Sequence, residues 1–354
     1  MKPVKVGVVG CGVIGPTHMG PAIESPLIEL VAVSDLVESR AKAAAAQYGV
    51  RKCYVQGDDL IDDPEVEAVV LAVPADGRFA LAKHALAAGK HMLTEKPVMM
   101  NAKLVRELIQ MRGNLTAGCC SLRMRQTDAA VLATQIVTSG ALGELRVLQA
   151  REIRGCGRKP DAPRPDWRLV KARNGGGILL NWGCYDLDYM LGLCGWQLRP
   201  TTVFAQCWTI SPHLQEHVWP GSDAETHFVS LIRCEGGAMI NFERGEFVAA
   251  QTESSWRITG SRGSLQLDML GRRGSQMVLD ETTPEGGVSS RTVWEFGPDN
   301  SGYNSSPIVD FAQAIREGRQ TDTSLERALV VQEISDAIYA SAESGEAVHI
   351  DVTV

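Results

Sequence analysis

A glycine-rich turn near the start of the chain constrains the fold more than any other feature. Gly10, Gly12 and Gly15 follow a strand-like apolar run at 4–9 and precede a helix-like pattern at 14–23. In such a unit the first glycine permits a tight turn, the second lets backbone approach a pyrophosphate, and the third allows close helix–strand packing. The motif alone is a weak signal, but dinucleotide binding requires this context. The segment therefore predicts a dinucleotide-binding βαβ unit.

Short apolar runs and helical patterns continue to alternate as far as residue 116. Strands are predicted at 30–34, 66–73 and 91–94, and the helices between them end at Gly49 and Gly89, where a left-handed residue is favoured. This rhythm is typical of an α/β fold with a doubly wound parallel sheet. We predict that this domain spans residues 1–120.

The pattern changes after residue 117, where strands follow one another with few helices between them. Strands are predicted at 145–150, 203–210, 228–234, 239–247 and 255–259. Near the end, Ser306 precedes a helical pattern, and Thr323 with Glu326 matches a capping box for a last helix. We predict a second, α+β domain over residues 121–354 with a large, mainly antiparallel sheet.

Composition excludes several classes of protein. Of the 354 residues 44% are hydrophobic, and the net charge is -7 with a pI near 5.6. This charge argues against broad binding to nucleic acid or to an anionic membrane, and no apolar run is long enough to span a bilayer. The nine cysteines show no metal-type spacing, and the chain opens on a strand rather than a signal segment. We therefore expect a cytoplasmic protein.

The tripeptide Glu95-Lys96-Pro97 directly follows the strand predicted at 91–94. Ligands bind at the carboxyl edge of an open parallel sheet, and proline biases the preceding residue toward an extended backbone. The Lys96 ammonium is therefore expected to point into that edge. A lone lysine is as readily a solvated surface charge, but together with the glycine turn it suggests a nicotinamide enzyme.

Asp35 ends the second predicted strand, 20 positions after Gly15. A carboxylate there can accept hydrogen bonds from the adenosine ribose hydroxyls and would repel a 2′-phosphate, so NAD is favoured over NADP as the cofactor. The alternative is that Asp35 only caps the helix that begins near residue 37, a position that suits aspartate.

Several separated motifs together resemble those of one enzyme family. They are the glycine turn, Glu95-Lys96-Pro97, Trp167-Arg168, Gly175-Gly176-Gly177, the segment 260–264, Asp310-Phe311 and Ala337-Ile338-Tyr339. Their order over the whole chain resembles the Gfo/Idh/MocA family of sugar and cyclitol oxidoreductases. The resemblance implies an N-terminal Rossmann domain, a C-terminal domain whose open sheet is often used in oligomerisation, and a substrate cleft between them. It also places Val13, Ile14, Pro74 and Glu95 near the cofactor.

The helix after the triple glycine departs from the family pattern. Relatives that oxidise alcohols commonly carry an aspartate and, four residues later, a histidine, whereas here these positions hold Asn181 and Tyr185. With Asp188 they fall at i, i+4 and i+7, so an α-helix would place all three on one side. An amide cannot take a proton at neutral pH, which leaves Asn181 as an orienting hydrogen-bond partner. Tyr185 would then relay the proton, and Asp188 would help Asn181 to orient the substrate. A second departure is Arg78, where many relatives have a histidine, which suggests altered substrate charge.

The proton-relay hypothesis for Tyr185 depends on its surroundings. A phenol has an ordinary pKa near 10, and a neighbouring Lys96 ammonium would lower that pKa whereas burial would raise it. The alternative is an aromatic side chain that packs on the helix with its hydroxyl satisfied.

Further substrate contacts are predicted at Arg123, Trp167 and Arg168. Forked donors and an aromatic face suit a polyhydroxylated or anionic ligand, although a solvated arginine loop is the alternative. His213 and His217 would suit a metal only on a helix, and the prolines at 212 and 220 make a long helix doubtful. No metal site is therefore predicted.

These features favour an NAD-dependent oxidoreductase that transfers a hydride between nicotinamide and a secondary alcohol carbon of a sugar, sugar derivative or cyclitol. Lys96 would stabilise the developing alkoxide. Two alternatives stay open: an NAD-dependent glycosidase that acts by transient oxidation and elimination, and a catalytically silent NAD-binding sensor. Retention of Lys96 argues against the sensor. The expected partners are a small carbohydrate or cyclitol and further copies of the chain, in a homodimer or homotetramer.

Overall fold

The computed structural model describes residues 2–163, 166–297 and 306–350. The chain divides into two units, of which the first contains residues 1–123 and 302–332 and the second contains residues 124–301 and 333–354. The prediction assigns every residue after 120 to the second domain, whereas residues 302–332 return to the first unit.

A six-stranded sheet forms the centre of the first unit in the described ranges. Its elements are β1 (Val4–Val9), α1 (Pro16–Glu24), β2 (Ile28–Ser34), α2 (Glu38–Tyr48), β3 (Lys52–Tyr54), α3 (Gly57–Ile61), β4 (Ala68–Leu71), α4 (Ala75–Ala87), β5 (His91–Thr94), α5 (Ala102–Arg112), β6 (Ala117–Cys119), α9 (Ser306–Glu317) and the first part of α10 (Leu325–Ser344), whose residues from 333 onward belong to the second unit. The strand order is β3-β2-β1-β4-β5-β6, and every neighbouring pair is parallel. This is the order of a doubly wound dinucleotide-binding sheet, so the predicted fold is confirmed.

Apolar layers cover both faces of this sheet. Successive side chains of a strand point to opposite faces, and in β4 Val70 packs in one buried cluster with Phe311, whereas Leu71 packs in another with Leu325. The returning segment therefore contributes to both layers of the core of the first unit.

A nine-stranded sheet forms the second unit in the described ranges. Its elements are α6 (Asp128–Thr138), β7 (Leu145–Gly155), α7 (Lys171–Asn174), α8 (Cys184–Leu193), β8 (Pro200–Thr209), β9 (Glu225–Cys234), β10 (Met239–Val248), β11 (Glu253–Gly260), β12 (Gly263–Leu267), β13 (Gln276–Thr282), β14 (Val288–Glu295) and β15 (Val348–His349). The strand order is β14-β13-β12-β11-β7-β10-β9-β8-β15. The β7–β10 pair is parallel and the others are antiparallel, which confirms the mainly antiparallel sheet.

The two faces of the nine-stranded sheet differ in exposure. On the covered face Phe228 and Phe242 are buried and meet edge to face, with ring centroids 4.8 Å apart. On the other face Phe204 and Leu231 lie opposite each other in the β8–β9 register and are 54% and 48% exposed. The sheet therefore presents an apolar patch to its surroundings.

Local signals confirm some helix ends and correct others. Gly49 ends α2 in the left-handed conformation with φ 67°, as predicted. The hydroxyl of Ser324, the residue directly before α10, accepts the Arg327 N–H at 3.4 Å, so the helix begins one residue later than the predicted capping box places it. Within the described part of the chain, no helix combines the length and apolarity needed to cross a membrane.

Candidate functional site

The glycine turn joins the carboxyl end of β1 to α1 through very close backbone contacts. Gly10 has φ +102°, and a Cβ added there would lie 2.5 Å from the Ala72 carbonyl oxygen. A Cβ at Gly15 would lie 2.4 Å from the Gly10 carbonyl oxygen, whereas a Cβ at Gly12 would have nothing within 4 Å. The turn is therefore tight at its ends and open in the middle, which suits a pyrophosphate at the start of the helix.

Asp35 lies at the end of β2, beside the glycine turn. Its Oδ2 accepts the Cys11 N–H at 2.9 Å, and its Oδ1 accepts the Val37 N–H at 2.8 Å. The second bond closes a turn just before α2, at its N-cap residue Val37, and does not reach an N–H group within the helix. A carboxylate has further lone pairs, so these bonds leave room for ribose hydroxyls.

Exposed apolar side chains lie at the same edge of the sheet. Val13 follows β1 and is 98% exposed, and Leu36 follows β2 and is 76% exposed. Ile14 packs partly against the core. Large exposed apolar groups beside a polar turn are typical of a ligand-binding edge. Sequence reasoning missed Leu36, although an apolar residue directly after the strand-end aspartate was a usable signal.

Glu95 follows β5 and lies in a buried ion cluster. Burial would raise the pKa of this carboxyl, but the Arg123 guanidinium and His18 hold the pKa well below its usual range. Arg123 donates to Oε1, and His18 Nε2 lies 2.9 Å from the same oxygen. Oε2 accepts the Lys96 N–H at 3.1 Å, and the Lys96–Pro97 peptide is cis. The cluster therefore anchors the backbone of Lys96.

His18, Glu95 and Cys120 bring potential metal ligands within 4.8 Å of one another. The Arg123 guanidinium already neutralises Glu95 and would repel a cation. Burial raises the pKa of the Cys120 thiol well above its usual value, so the thiol stays protonated. The cluster therefore suits a structural ion pair better than a metal centre. Sequence reasoning missed His18, because its position in α1 fits an ordinary buried stripe.

Two residues predicted to contact substrate have partners inside the protein. Arg123 is 2% exposed and donates to Glu95 in the first unit. Asp188 is fully buried in the second unit and accepts from Arg125 Nε at 2.5 Å. We propose that both support the site rather than touch the substrate.

The triple glycine is held by Glu225 in the second unit. The Gly177 and Leu179 N–H groups donate to its two carboxylate oxygens at 2.7 and 3.0 Å, and the Tyr339 hydroxyl donates at 2.8 Å. A Cβ at Gly176 would lie 1.9 Å from the Tyr339 hydroxyl oxygen. Glycine is therefore required by close approach, and the loop fixes the start of the following helix.

A π-helical turn over Leu179–Gly183 precedes α8 and alters the predicted spacing. The Cys184 N–H donates to the Leu179 carbonyl, five residues back, so α-helical geometry does not apply between Asn181 and Tyr185. Both of these side chains are 6% exposed. The π turn changes the angle between Asn181 and Tyr185 from that of an unbroken α-helix, and the one-sided arrangement of Asn181, Tyr185 and Asp188 stays a prediction.

Aromatic and charged groups support Tyr185. Its ring centroid lies 5.6 Å from that of Trp182, and Arg244 lies 5.1 Å above the Trp182 ring. Arg244 is itself paired with the buried carboxylate of Asp186. The position of Tyr185 therefore depends on a packed polar and aromatic layer.

Trp167 and Arg168 form a short 3₁₀ turn capped by Asp166. The Asp166 carboxylate accepts the Arg168 N–H at 3.1 Å and the Arg168 Nε at 2.7 Å. Trp167 is half-buried and Arg168 is exposed, so both remain accessible.

Glu246 lies in an irregular part of β10 that sequence reasoning missed. The β7–β10 register shifts between Gly245 and Val248, and Phe247 has φ 56°. Burial raises the pKa of Glu246, and Arg168 opposes that shift. Bulges are frequent beside active sites, so Glu246 joins Arg168 as a candidate polar contact.

His213 and His217 lie in a 3₁₀ turn, Pro212–His217, rather than in an α-helix. The Leu214 carbonyl lies 3.2 Å from His217 Nδ1. The spacing that would suit a metal on an α-helix is therefore not formed.

The doubly wound sheet, the open glycine turn and the strand-end lysine together indicate a dinucleotide-binding oxidoreductase. A family model described as "Oxidoreductase family, NAD-binding Rossmann fold" matches residues 4–115, and the model of the C-terminal domain of the same family matches residues 131–266. The chain belongs to the GFO/IDH/MocA family.

Characterised proteins resemble the chain over most of its length. Levoglucosan dehydrogenase of Pseudarthrobacter phenanthrenivorans is 23% identical, over 85% of this chain and 84% of the relative. Myo-inositol 2-dehydrogenase of Thermotoga maritima is 25% identical, over 83% and 82%. A solved structure of levoglucosan dehydrogenase in complex with NADH and L-sorbose superimposes with a TM-score of 0.84 at 22% identity, covering 99% of this chain and 100% of that one. The last likeness shows a shared fold.

Proposed function

We propose that the protein transfers a hydride between NAD and a secondary alcohol carbon of a sugar, sugar derivative or cyclitol. The position of Lys96 carries the proposal, because it lies two residues after the end of β5 at the carboxyl edge of a doubly wound parallel sheet. Ligands of such sheets bind at this edge. Membership of a family of NAD-binding oxidoreductases supports the same reading.

The residues around the glycine turn fit NAD. Gly12 offers open backbone for the pyrophosphate, Asp35 retains lone pairs for the ribose, and Val13 offers an apolar surface. Pro74, the N-cap residue of α4, and Glu95 lie at the ends of neighbouring strands and would border the nicotinamide half. When bound, NAD supplies the group that accepts the hydride.

The chain supplies charge stabilisation and a proton path. The Lys96 ammonium would donate a hydrogen bond to the substrate oxygen and stabilise negative charge as it develops there. The Tyr185 hydroxyl would carry the proton, and the Asn181 amide would orient the substrate by hydrogen bonding. The Trp182 and Arg244 layer would keep the Tyr185 ring in place.

The substrate class follows from the polar groups and from the relatives. Trp167 offers an aromatic face, Arg168 offers forked donors, and Glu246 offers acceptors, a combination that suits several hydroxyl groups on one small molecule. The two relatives are named for levoglucosan and for myo-inositol. Both compounds are polyhydroxylated rings.

A substrate screen with purified protein and NAD tests the proposal. Levoglucosan, myo-inositol, other cyclitols, sugar acids and glycosides would be offered separately, with NADH absorbance and product mass as readouts. We expect NADH in a one-to-one ratio with a product that has lost two hydrogen atoms. Release of an aglycone without net NADH would indicate a glycosidase instead. NADH binding without turnover on any member of the panel would favour a sensor.

We also propose that copies of the chain associate through the apolar patch around Phe204 and Leu231, as a homodimer or homotetramer. Both side chains are about half exposed, and covering such a patch removes apolar area from water. A cytoplasmic location is proposed from the cysteines, all nine of which are free thiols, as is usual in a reducing compartment.

A further inference from the structure

We propose that Arg78 is a positioning residue for Lys96, a role that rests on the hydride-transfer function proposed above. Arg78 lies in the first turn of α4, four residues after Pro74, and is 1% exposed. It shares the buried stripe of this helix with Ala75, Ala82 and Ala85. Arginine is almost never fully buried without specific partners, so its placement among small alanines calls for an explanation.

The guanidinium of Arg78 connects the ends of two neighbouring strands. Its Nε and Nη2 donate to the Val73 carbonyl oxygen after β4, at 3.2 and 2.6 Å. Its Nη1 donates to the Glu95 carbonyl oxygen at 2.6 Å and also to the Pro97 carbonyl oxygen. The Glu95 and Pro97 carbonyl groups lie just after β5, and they flank Lys96 on either side.

The same segment is held from another direction through the Glu95 side chain. Oε1 of that carboxylate accepts a hydrogen bond from the Arg123 guanidinium, and Oε2 accepts one from the Lys96 N–H. Arg78 holds the main-chain carbonyls and Arg123 holds the side chain, so the Lys96 backbone has anchors on both sides. The point at which the Lys96 side chain leaves the main chain is therefore fixed from two directions.

Arg78 therefore acts through Lys96 and not on the substrate directly, which revises the expectation that it alters substrate charge. A planar, rigid fork can serve several carbonyl oxygens at once, whereas a lysine ammonium is a single point with flexible attachment. Displacement of a reacting group by roughly 1 Å can cost about 10²-fold in rate. Loss of the fork should therefore lower kcat and leave cofactor binding largely intact.

Two variants and a control test this assignment in the full-length protein. Arg78→Met keeps an unbranched side chain and removes every donor, and Arg78→Lys keeps charge and some donors. Arg112→Met removes an arginine of the same unit that pairs with Glu326 at 2.7 Å, far along α5 from the strand ends. The readouts are kcat and KM with the best alcohol, the Kd of NADH, and hydrogen–deuterium exchange of the peptide covering residues 94–99.

We expect Arg78→Met to lower kcat by about 10–100-fold, with the Kd of NADH and the alcohol KM changed by less than about threefold. Arg78→Lys should recover part of kcat, and exchange in 94–99 should be fastest in Arg78→Met and unchanged in Arg112→Met. Unchanged kcat and unchanged exchange in Arg78→Met would overturn the assignment, as would an NADH affinity that falls as much as kcat.

If Arg78→Met does not fold, Arg78→Lys must by itself show slower turnover and faster exchange than the parent, or the assignment fails. If the parent turns over no alcohol, the proposed function fails, and exchange in 94–99 alone then decides whether Arg78 holds this segment.

Discussion

The carboxylate of Asp35 accepts a hydrogen bond from the Cys11 N–H at 2.9 Å, which ties the end of β2 to the glycine turn. Its other oxygen accepts the Val37 N–H at 2.8 Å. Closing the turn before α2 and cofactor recognition are therefore compatible roles of one side chain. Its negative charge lies beside the turn that is proposed to bind the pyrophosphate.

Replacing Asp35 with serine should narrow the preference for NAD(H) over NADP(H). Serine removes the charge that would repel a 2′-phosphate. We expect the Kd of NADPH divided by the Kd of NADH to fall by about tenfold, which equals about 1.4 kcal/mol. Titration of the protein with both reduced cofactors measures this ratio. Asp59→Ser, at an exposed site in α3, serves as the control. Equal affinities in the parent protein would contradict the ribose assignment.

Replacing Lys96 with alanine should abolish most turnover while NADH still binds. The ammonium acts on developing negative charge, and loss of such a donor typically costs about 10²–10³-fold in kcat. Steady-state kinetics and NADH titration separate the two effects. Lys83→Ala removes a lysine that pairs with Glu107 in the same unit, and it should leave kcat unchanged. Comparable losses in the two variants would show that the effect is not specific to Lys96.

Replacing Tyr185 with phenylalanine should lower kcat by about 10²–10⁴-fold and remove one limb of the pH profile. Phenylalanine keeps the ring that packs on Trp182, so the loss isolates the hydroxyl. Tyr189→Phe is the matched control, because that tyrosine lies in the same helix and packs edge-on against Trp256. Tyr185→His introduces the histidine that is common in relatives, but it need not support turnover, since the Asn181 amide cannot stabilise an imidazolium as a carboxylate would. Parent-like turnover in Tyr185→Phe would rule out the relay.

The first unit should lose stability in acid through Glu95. Its folded-state pKa is depressed below the ordinary value, so its contribution is present above about pH 4.3 and is lost as the pH falls through the lower folded value. At pH 7, Glu95→Gln should cost about 3–5 kcal/mol, because it leaves Arg123 buried without its charge partner. The difference from the parent should shrink below about pH 4.

Urea unfolding at neutral and acidic pH measures this difference. Glu107→Gln is the control, since Glu107 pairs with Lys83 and both side chains are about 40% exposed. Such a pair contributes about 0–1 kcal/mol. A Glu95→Gln penalty that stays constant with pH would show that lost packing, rather than lost charge, is responsible.

Replacing Phe204 with aspartate should dissociate the proposed oligomer. The new charge would lie opposite Leu231 on the exposed apolar patch and would have to be desolvated on association. Sedimentation velocity at micromolar concentration should show a smaller species than the parent. Ile23→Asp, at a site that is 53% exposed in α1, tests a charge placed elsewhere. A monomeric parent protein would contradict self-association at once.

Local sequence patterns predict the first unit well. The bounds of β1 and β5 agree with the apolar runs, because both strands are short, buried on two faces and followed by residues that cannot continue them. Strand order follows from the βαβ rhythm. The return of 302–332 does not follow, because nothing local in its helical pattern specifies which apolar surface it covers.

The candidate site is less predictable for a related reason. Gly10 and Gly15 stand at positions where close backbone contacts dictate glycine, and Lys96 is marked by its place just after a predicted strand. His18, Arg78 and Arg123 act through contacts over long sequence distances, which no local pattern specifies. The π turn before α8 also has no periodic signal, since one altered hydrogen bond leaves the apolar pattern nearly unchanged.

The return of the chain to the first unit limits how such a protein can be divided or recombined. Phe311 and Leu325 fill opposite layers of the parallel sheet although they are distant in sequence from every strand of that sheet. A fragment that stops after residue 123 would leave both layers open to solvent. Residues 1–123 alone are therefore not a complete unit that gene fusion could transfer to another protein.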